Sequence, residues 1–225
     1  PPPHCQSCNS LIRWFDRLPL ISYILLNCRC RECGSAISAV YPCIEAVTAI
    51  VFVVHYLVFG LVPVMLVKLV LSSILIVLFV TDLSYRVLPN SVTIPGLIFG
   101  WCSSLVLPPG WLDASIGVIG GGGFLFALSE AYYRVRGRDG LGMGDVKMLA
   151  LVGAFLGWKL MLATALMASM LGSLVGIAML VFGRANADYA LPFGSFLSIS
   201  AVLMSVCGIE IVSWYESLLL NSIVQ

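Results

Sequence analysis

Val62-Pro-Val-Met-Leu-Val-Lys-Leu-Val-Leu-Ser-Ser-Ile-Leu-Ile-Val-Leu-Phe-Val-Thr81 runs for twenty residues with a single charge, Lys68. A hydrocarbon core about 30 Å thick needs about 20 apolar residues at a helical rise of about 1.5 Å each. The run meets that requirement, and Asp82 follows it at once. Six further runs read the same way: Tyr41–Phe59, Val92–Leu107, Ala114–Tyr132, Asp145–Gly157, Lys159–Phe182 and Ser195–Leu220. Asp145–Gly157 is too short to cross upright, and only Gly157-Trp158-Lys159 separates it from the next run. It reads as a tilted span or as a helix entering part way. Each segment in lipid must satisfy its own backbone, and the alternation of barrel strands is absent, so helices are the reading.

Composition agrees. The chain is 60% hydrophobic and 10% charged over 225 residues, against about 45–50% and about 25% for soluble domains. The expected fold is an all-α integral membrane protein, a polytopic helical bundle of about seven spans over residues 41–225. A small polar module, residues 1–40, precedes it. The chain opens Pro-Pro-Pro-His without an initiator Met. A preceding segment is therefore expected, and a span within it would bring the total to eight. Net charge is +1 with no basic stripe, so nucleic acid is not an expected partner.

Charge placement sets the orientation. With the N-terminal module in the cytosol, Arg13, Arg17, Arg29, Arg31, Arg86, Arg134, Arg136, Arg138, Lys147 and Arg184 all face the cytosol, ten of the 12 basic residues. The opposite topology would break the positive-inside rule.

Two cysteine pairs, Cys5-x-x-Cys8 and Cys30-x-x-Cys33, share their internal spacing within that module. Two such turns supply four thiolates to one tetrahedral ion, and zinc suits a closed sulfur site with a structural role. Disulfides are the competing reading, but a reducing cytosol opposes them. Cys28 and His4 read as bystanders.

Ionisable groups at or inside spans are costly, which makes them functional suspects. Asp82 ends the second span and Asp145 begins the fifth, in Gly142-Met143-Gly144-Asp145-Val146-Lys147, both at the same boundary. Read singly, Asp82 could pair with Arg86 and Asp145 could favour a helix N-terminus. Together they suggest a dyad. Facing carboxylates do not both ionise easily, so the charged one can activate water and the neutral one can donate a proton. Gly142 and Gly144, lacking Cβ, would let an extended substrate backbone approach. Lys147 and Arg86 are candidates for tuning the dyad or for holding substrate carbonyls. Glu45 would bind a substrate ammonium or tie the module to the bundle. Asp16, Glu32 and Asp139 are candidates for attracting a basic peptide. Gly117 and Gly120–Gly123 form a smooth face suited to close helix packing, with a substrate groove as the lesser reading.

The chain resembles the bacterial type IV prepilin peptidase family, the leader peptidase/N-methyltransferases. The likeness rests on the two cysteine pairs with Ile12-Arg13-Trp14-Phe15-Asp16 and Leu18-Pro19-Leu20-Ile21-Ser22-Tyr23 between them. It extends through Tyr41-Pro42 with Glu45, Asp82 with Leu88-Pro89-Asn90, the Gly-x-Gly-Asp segment at 142–145, and Pro192-Phe193-Gly194. The chain departs from the family pattern at Gln6 and at Ser195, where proline is common, and a first span with a Gly-Ser-Phe-x-Asn-type motif is not in this sequence. The resemblance implies a membrane aspartyl protease of the bacterial inner membrane with Asp82 and Asp145 as its aspartates. It would cleave prepilin or pseudopilin leaders after a glycine at the cytosolic face, serving type IV pili or type II secretion. N-methylation of the new terminus with S-adenosylmethionine is implied as well. The alternative is a transporter or channel subunit with a structural zinc module, although boundary carboxylates and the lack of an inverted repeat oppose it.

Overall fold

The computed structural model describes residues 3–5, 7–137, 142–182 and 191–223, the side chains at 136, 216 and 218–223 excepted. Arg138, Asp139 and Arg184 therefore lie outside the described residues. The chain divides into two compact units, Pro1–Val54 and His55–Gln225.

In the first unit, a 3-10 turn at Trp14–Arg17 and a short helix α1 at Ile21–Leu25 lead to α2, Val40–Phe59. Two isolated antiparallel bridges, His4 with Leu11 and Arg29 with Ala36, close one loop around each cysteine pair. The two loops repeat one hydrogen-bond pattern. Cys5 N–H donates to Ser10 O and Asn9 N–H to Cys5 O, just as Cys30 N–H donates to Ser35 O and Gly34 N–H to Cys30 O. The fifth residue of each loop takes positive φ, 56° at Asn9 and 69° at Gly34, a conformation that Asn and Gly accept most readily.

The acidic residues of this unit are already engaged. Arg31 donates twice to Asp16, at 2.6 and 3.0 Å, and that guanidinium holds the Asp16 carboxyl below its usual range. Glu32 lies 3.5 Å from Arg13. Asp16 is thus committed to a local partner, which corrects its reading as an attractor of basic peptides. Fifteen residues separate it from Arg31, too far for the pairing to show in the local pattern. Glu45 Oε2 accepts the Leu20 N–H at 2.8 Å, where Leu20 holds φ 59°. That contact ties the loop to α2, the structural one of its two sequence readings.

The second unit comprises α3 (Pro63–Tyr85), α4 (Asn90–Ser103), α5 (Trp111–Arg136), α6 (Met143–Val181) and α7 (Phe193–Ile223). Each expected apolar run is helical over most of its length. Five helices are long and apolar enough to cross a membrane: α2, α3, α5, α6 and α7. Helix α4, with 14 residues, is not among them, being shorter than the run Val92–Leu107 suggested. Its first turn follows Pro89, and its last ends before the turn at Ser104.

The expected fifth and sixth runs are two helical arms, together α6, joined without a loop at Gly157, whose φ 78° and ψ 173° are not helical. Contacts along its length show that it doubles back there. Asp145 lies at Gly194 near the start of α7, Leu160 lies at Gly208, Gly172 at Phe196 and Gly176 at Leu191. The second half of α6 thus runs antiparallel to α7, returning toward the end from which the first half set out. Gly157 itself fits against Pro109 and Asp113, where a Cβ would come within 3.0 Å of the proline ring.

Helix α6 packs on α5, α4 and α7, and α3 packs on α7. Its first half is the centre of the bundle: Met148–Gly157 are all buried. The α5–α6 seam is closed by glycines. A Cβ on Gly117 would lie 2.6 Å from Gly153 O, and one on Gly121 would lie 3.0 Å from Leu149 O. Close packing is thus the role of Gly117 and Gly121, while Gly123 faces open space. Away from the carboxylates, the fully buried His55 bonds to Ser205 Oγ at 3.0 Å, and Lys68 donates to Ser205 O.

Candidate functional site

Asp82 lies one turn from the end of α3, and Asp145 is the third residue of α6. Helix α3 stops because Arg86 turns left-handed at φ 55° and its N–H closes on Asp82 O at 2.8 Å. The start of α7 then lies across both carboxylates. The position a Cβ would take on Gly194 is 3.1 Å from Asp82 Oδ2 and 3.2 Å from Asp145 Oδ1. The two oxygens are therefore separated by less than the sum of those lengths. A side chain at 194 would press on both acids, which would have to give by a few tenths of an ångström to admit it.

Asp82 is 5% exposed, and its Oδ2 accepts the Ser195 N–H at 2.6 Å and the Ser195 hydroxyl at 2.9 Å. Neither bond could be read from the sequence, because 113 residues separate the partners. Asp145 is half-buried, with the exposed Gly142 beside its carboxylate: a Cβ there would lie 3.4 Å from Asp145 Oδ2.

At Gly144, a Cβ would come within 3.0 Å of the Leu88 side chain. The Leu88 side chain occupies that side of Gly144, so the missing Cβ lets the start of α6 pack against the segment leading into α4. Lys147 donates to Asn90 Oδ1 at 2.9 Å, fastening the start of α6 to the start of α4. These two contacts hold Asp145 relative to the end of α3.

In the first unit, Cys5, Cys8, Cys30 and Cys33 place their sulfurs within 4.8 Å of one another. Four sulfurs about 2.3 Å from a central ion lie about 3.8 Å apart, and Cys5 and Cys33 are already at 3.9 Å. The donor set fits a metal ion. Backbone N–H groups of Ser7 and Cys8 draw the Cys5 thiol down to about 6, and the Ser35 hydroxyl, then its N–H, lowers Cys33. Both effects favour the thiolates a metal requires. His4 and Cys28 lie outside this four-membered group. Changing any one of the four cysteines to serine is expected to cut bound metal from about one equivalent per chain to near none. Elemental analysis of the purified variants reads it; undiminished metal would remove the site.

Known proteins place the chain. Residues 69–177 match the type IV leader peptidase family, and residues 1–59 match the bacterial peptidase A24 N-terminal domain. A prepilin leader peptidase/N-methyltransferase of Aeromonas salmonicida is 35% identical over 220 residues, 96% of this chain and 75% of that relative. The chain belongs to the type IV leader peptidase family. Other members with the same name, from Myxococcus xanthus and Pseudomonas aeruginosa, are 39% and 31% identical. The first aligns over 83% of this chain and 56% of its own length, the second over 94% and 73%. No solved structure matches the chain. The leader peptidase match begins inside α3 before Asp82 and ends in the return half of α6. It thus takes in both aspartates.

Proposed function

We propose that this chain is a prepilin leader peptidase that also methylates the amino terminus it releases, acting on prepilins or pseudopilins. The observation that carries the reading is the meeting of Asp82 and Asp145 beneath Gly194, in a chain whose relatives bear that name. The dyad activates water. The charged carboxylate takes a proton as the water oxygen bonds to the carbonyl carbon, and the neutral one gives its proton to the carbonyl oxygen. Collapse breaks the C–N bond, and the nitrogen leaves with the proton first taken from water. The cut falls after a glycine at the end of a basic leader.

Loop charges support the inner membrane as the site of action, with the dyad and the cysteine module on the cytosolic side. The substrate's apolar helix lies among the spans and its leader stays in the cytosol. Gly142 offers its open backbone beside Asp145 to an extended substrate. Residues 1–40 form a metal-binding module and residues 41–225 the peptidase domain. Zinc is the ion that suits Cys5, Cys8, Cys30 and Cys33; it would cross-link the two loops and serve structure. Among the described residues no glycine-rich loop joins a strand to a helix. The use of S-adenosylmethionine therefore rests on the relatives' names, and no residue is assigned to it. Nothing in the site or among the relatives favours a transport role.

Mass spectrometry of a prepilin incubated with the purified chain tests the reading. The expected result is loss of the leader in either condition, with one added methyl mass only when S-adenosylmethionine is supplied. An authentic prepilin left intact would overturn the peptidase assignment, and a cleaved but never methylated product would overturn the second activity.

A further inference from the structure

Ser195 is the third residue of α7 and 4% exposed. It makes two hydrogen bonds to one atom, Asp82 Oδ2, from its backbone N–H at 2.6 Å and its hydroxyl at 2.9 Å. A carboxylate oxygen has two lone-pair sites, and here both face donors. With Asp82 ionised, both Ser195 donors are spent on Oδ2, which leaves Oδ1 as the oxygen open to take up a proton. The backbone N–H belongs to the first turn of α7, where it is shared between Asp82 Oδ2 at 2.6 Å and the Pro192 carbonyl at 3.2 Å, and both bonds to Asp82 are charge-assisted when that residue is ionised.

Resting on the peptidase reading above, we infer that Ser195 is the positioning residue that divides labour in the dyad: it fixes Asp82 as the carboxylate that accepts the water proton through Oδ1, and leaves Asp145 to donate. The groups around Asp82 are consistent with this assignment. Helix α6 brings Asp145 and α7 brings Gly194 and Ser195 to that carboxylate, and α4 (Asn90–Ser103) carries no charged side chain. In the first half-reaction, Asp82 Oδ1 takes one proton from water while the hydroxyl oxygen bonds to the carbonyl carbon. Asp145 passes its proton to the carbonyl oxygen. When the C–N bond breaks, the nitrogen takes the proton held on Asp82, and a hydroxyl of the tetrahedral intermediate returns one to Asp145. Both acids end as they began. A proline at 195 would lack both donors, so the contact belongs to this chain rather than to the pattern it resembles.

The test is steady-state cleavage of a prepilin by the full chain carrying Ser195→Ala, Ser195→Thr or Ser195→Pro. Losing the hydroxyl in the alanine variant is expected to lower kcat about tenfold, the effect of one charge-assisted hydrogen bond, with KM within about twofold. Threonine keeps both donors and is expected to restore kcat. Proline, tolerated in a first helical turn, removes both donors and is expected to lower kcat further. Unchanged kcat in the alanine and proline variants would overturn the inference, as would a loss shared equally by threonine. Asp82→Asn and Asp145→Asn run in parallel separate the two ideas. If both are inactive while Ser195→Ala is normal, only the positioning role falls. If either cleaves normally, the dyad itself falls.

Discussion

Asp82→Asn and Asp145→Asn are each expected to abolish leader cleavage, lowering kcat/KM about 10³-fold or more. The substitution keeps the shape of each side chain but removes its capacity to take up or release a proton. The two carboxylates lie on different helices, and the start of α7 lies across both, with Gly194 near each. Shape-conserving changes should leave that arrangement intact. In the Asp82→Asn variant the amide oxygen still accepts from Ser195, and in either variant Lys147 still reaches Asn90. Both variants should therefore insert in membranes and bind metal like the parent chain. Groups that act as one unit are not additive, so the double variant should be no slower than either single one. Near-normal cleavage by either variant, measured as leader release per hour at matched protein, would remove the dyad.

The second large effect lies away from the chemistry. Gly153→Val is expected to destabilise the membrane unit by about 3 kcal/mol or more, beyond ordinary overpacking, because the obstacle is backbone. Gly117 and Gly153 lie in contact through main-chain atoms, leaving no room for a methyl group on either side. A side chain there must part α5 from α6, and the first half of α6 carries Asp145. Gly123→Ala, further along α5 with nothing within 4 Å, should be harmless. Thermal melting of the detergent-solubilised protein, with cleavage as a second readout, compares the two. Equal melting temperatures for Gly153→Val and the parent would refute the close-packing account.

Much of this architecture could be read before any coordinates. The apolar runs led to the helices because lipid leaves a segment little choice. The matched cysteine spacing led to the four-sulfur cluster because its ligands lie close in sequence. Asp82 and Asp145 stood out because carboxylates at span ends are rare. What stayed hidden depends on contacts between distant residues. The packing of Leu88 against Gly144 had no trace in the local pattern. Asp16 looked available until Arg31 engaged it. Ser195 stood out only as a departure from the family pattern, and a serine in an apolar stretch carries no indication of what it will touch. The break at Gly157 was legible as a boundary and, through the cytosolic placing of both Lys147 and Arg184, as a reversal; which residues of α7 the returning arm lies against needed the contacts themselves.

The first half of α6 looked too short for its task, with 14 residues from Met143 to Leu156 rising only about 21 Å. It is buried from Met148 onward by its own neighbours, so lipid does not set its length. A helix shielded from lipid suffers no mismatch with it. Bilayer thickness is then felt by the outer helices, which can tilt to suit it, while the depth of Asp145 is fixed by protein alone. Membranes of differing thickness would meet the same pair of carboxylates, one of them mounted on a post they do not touch.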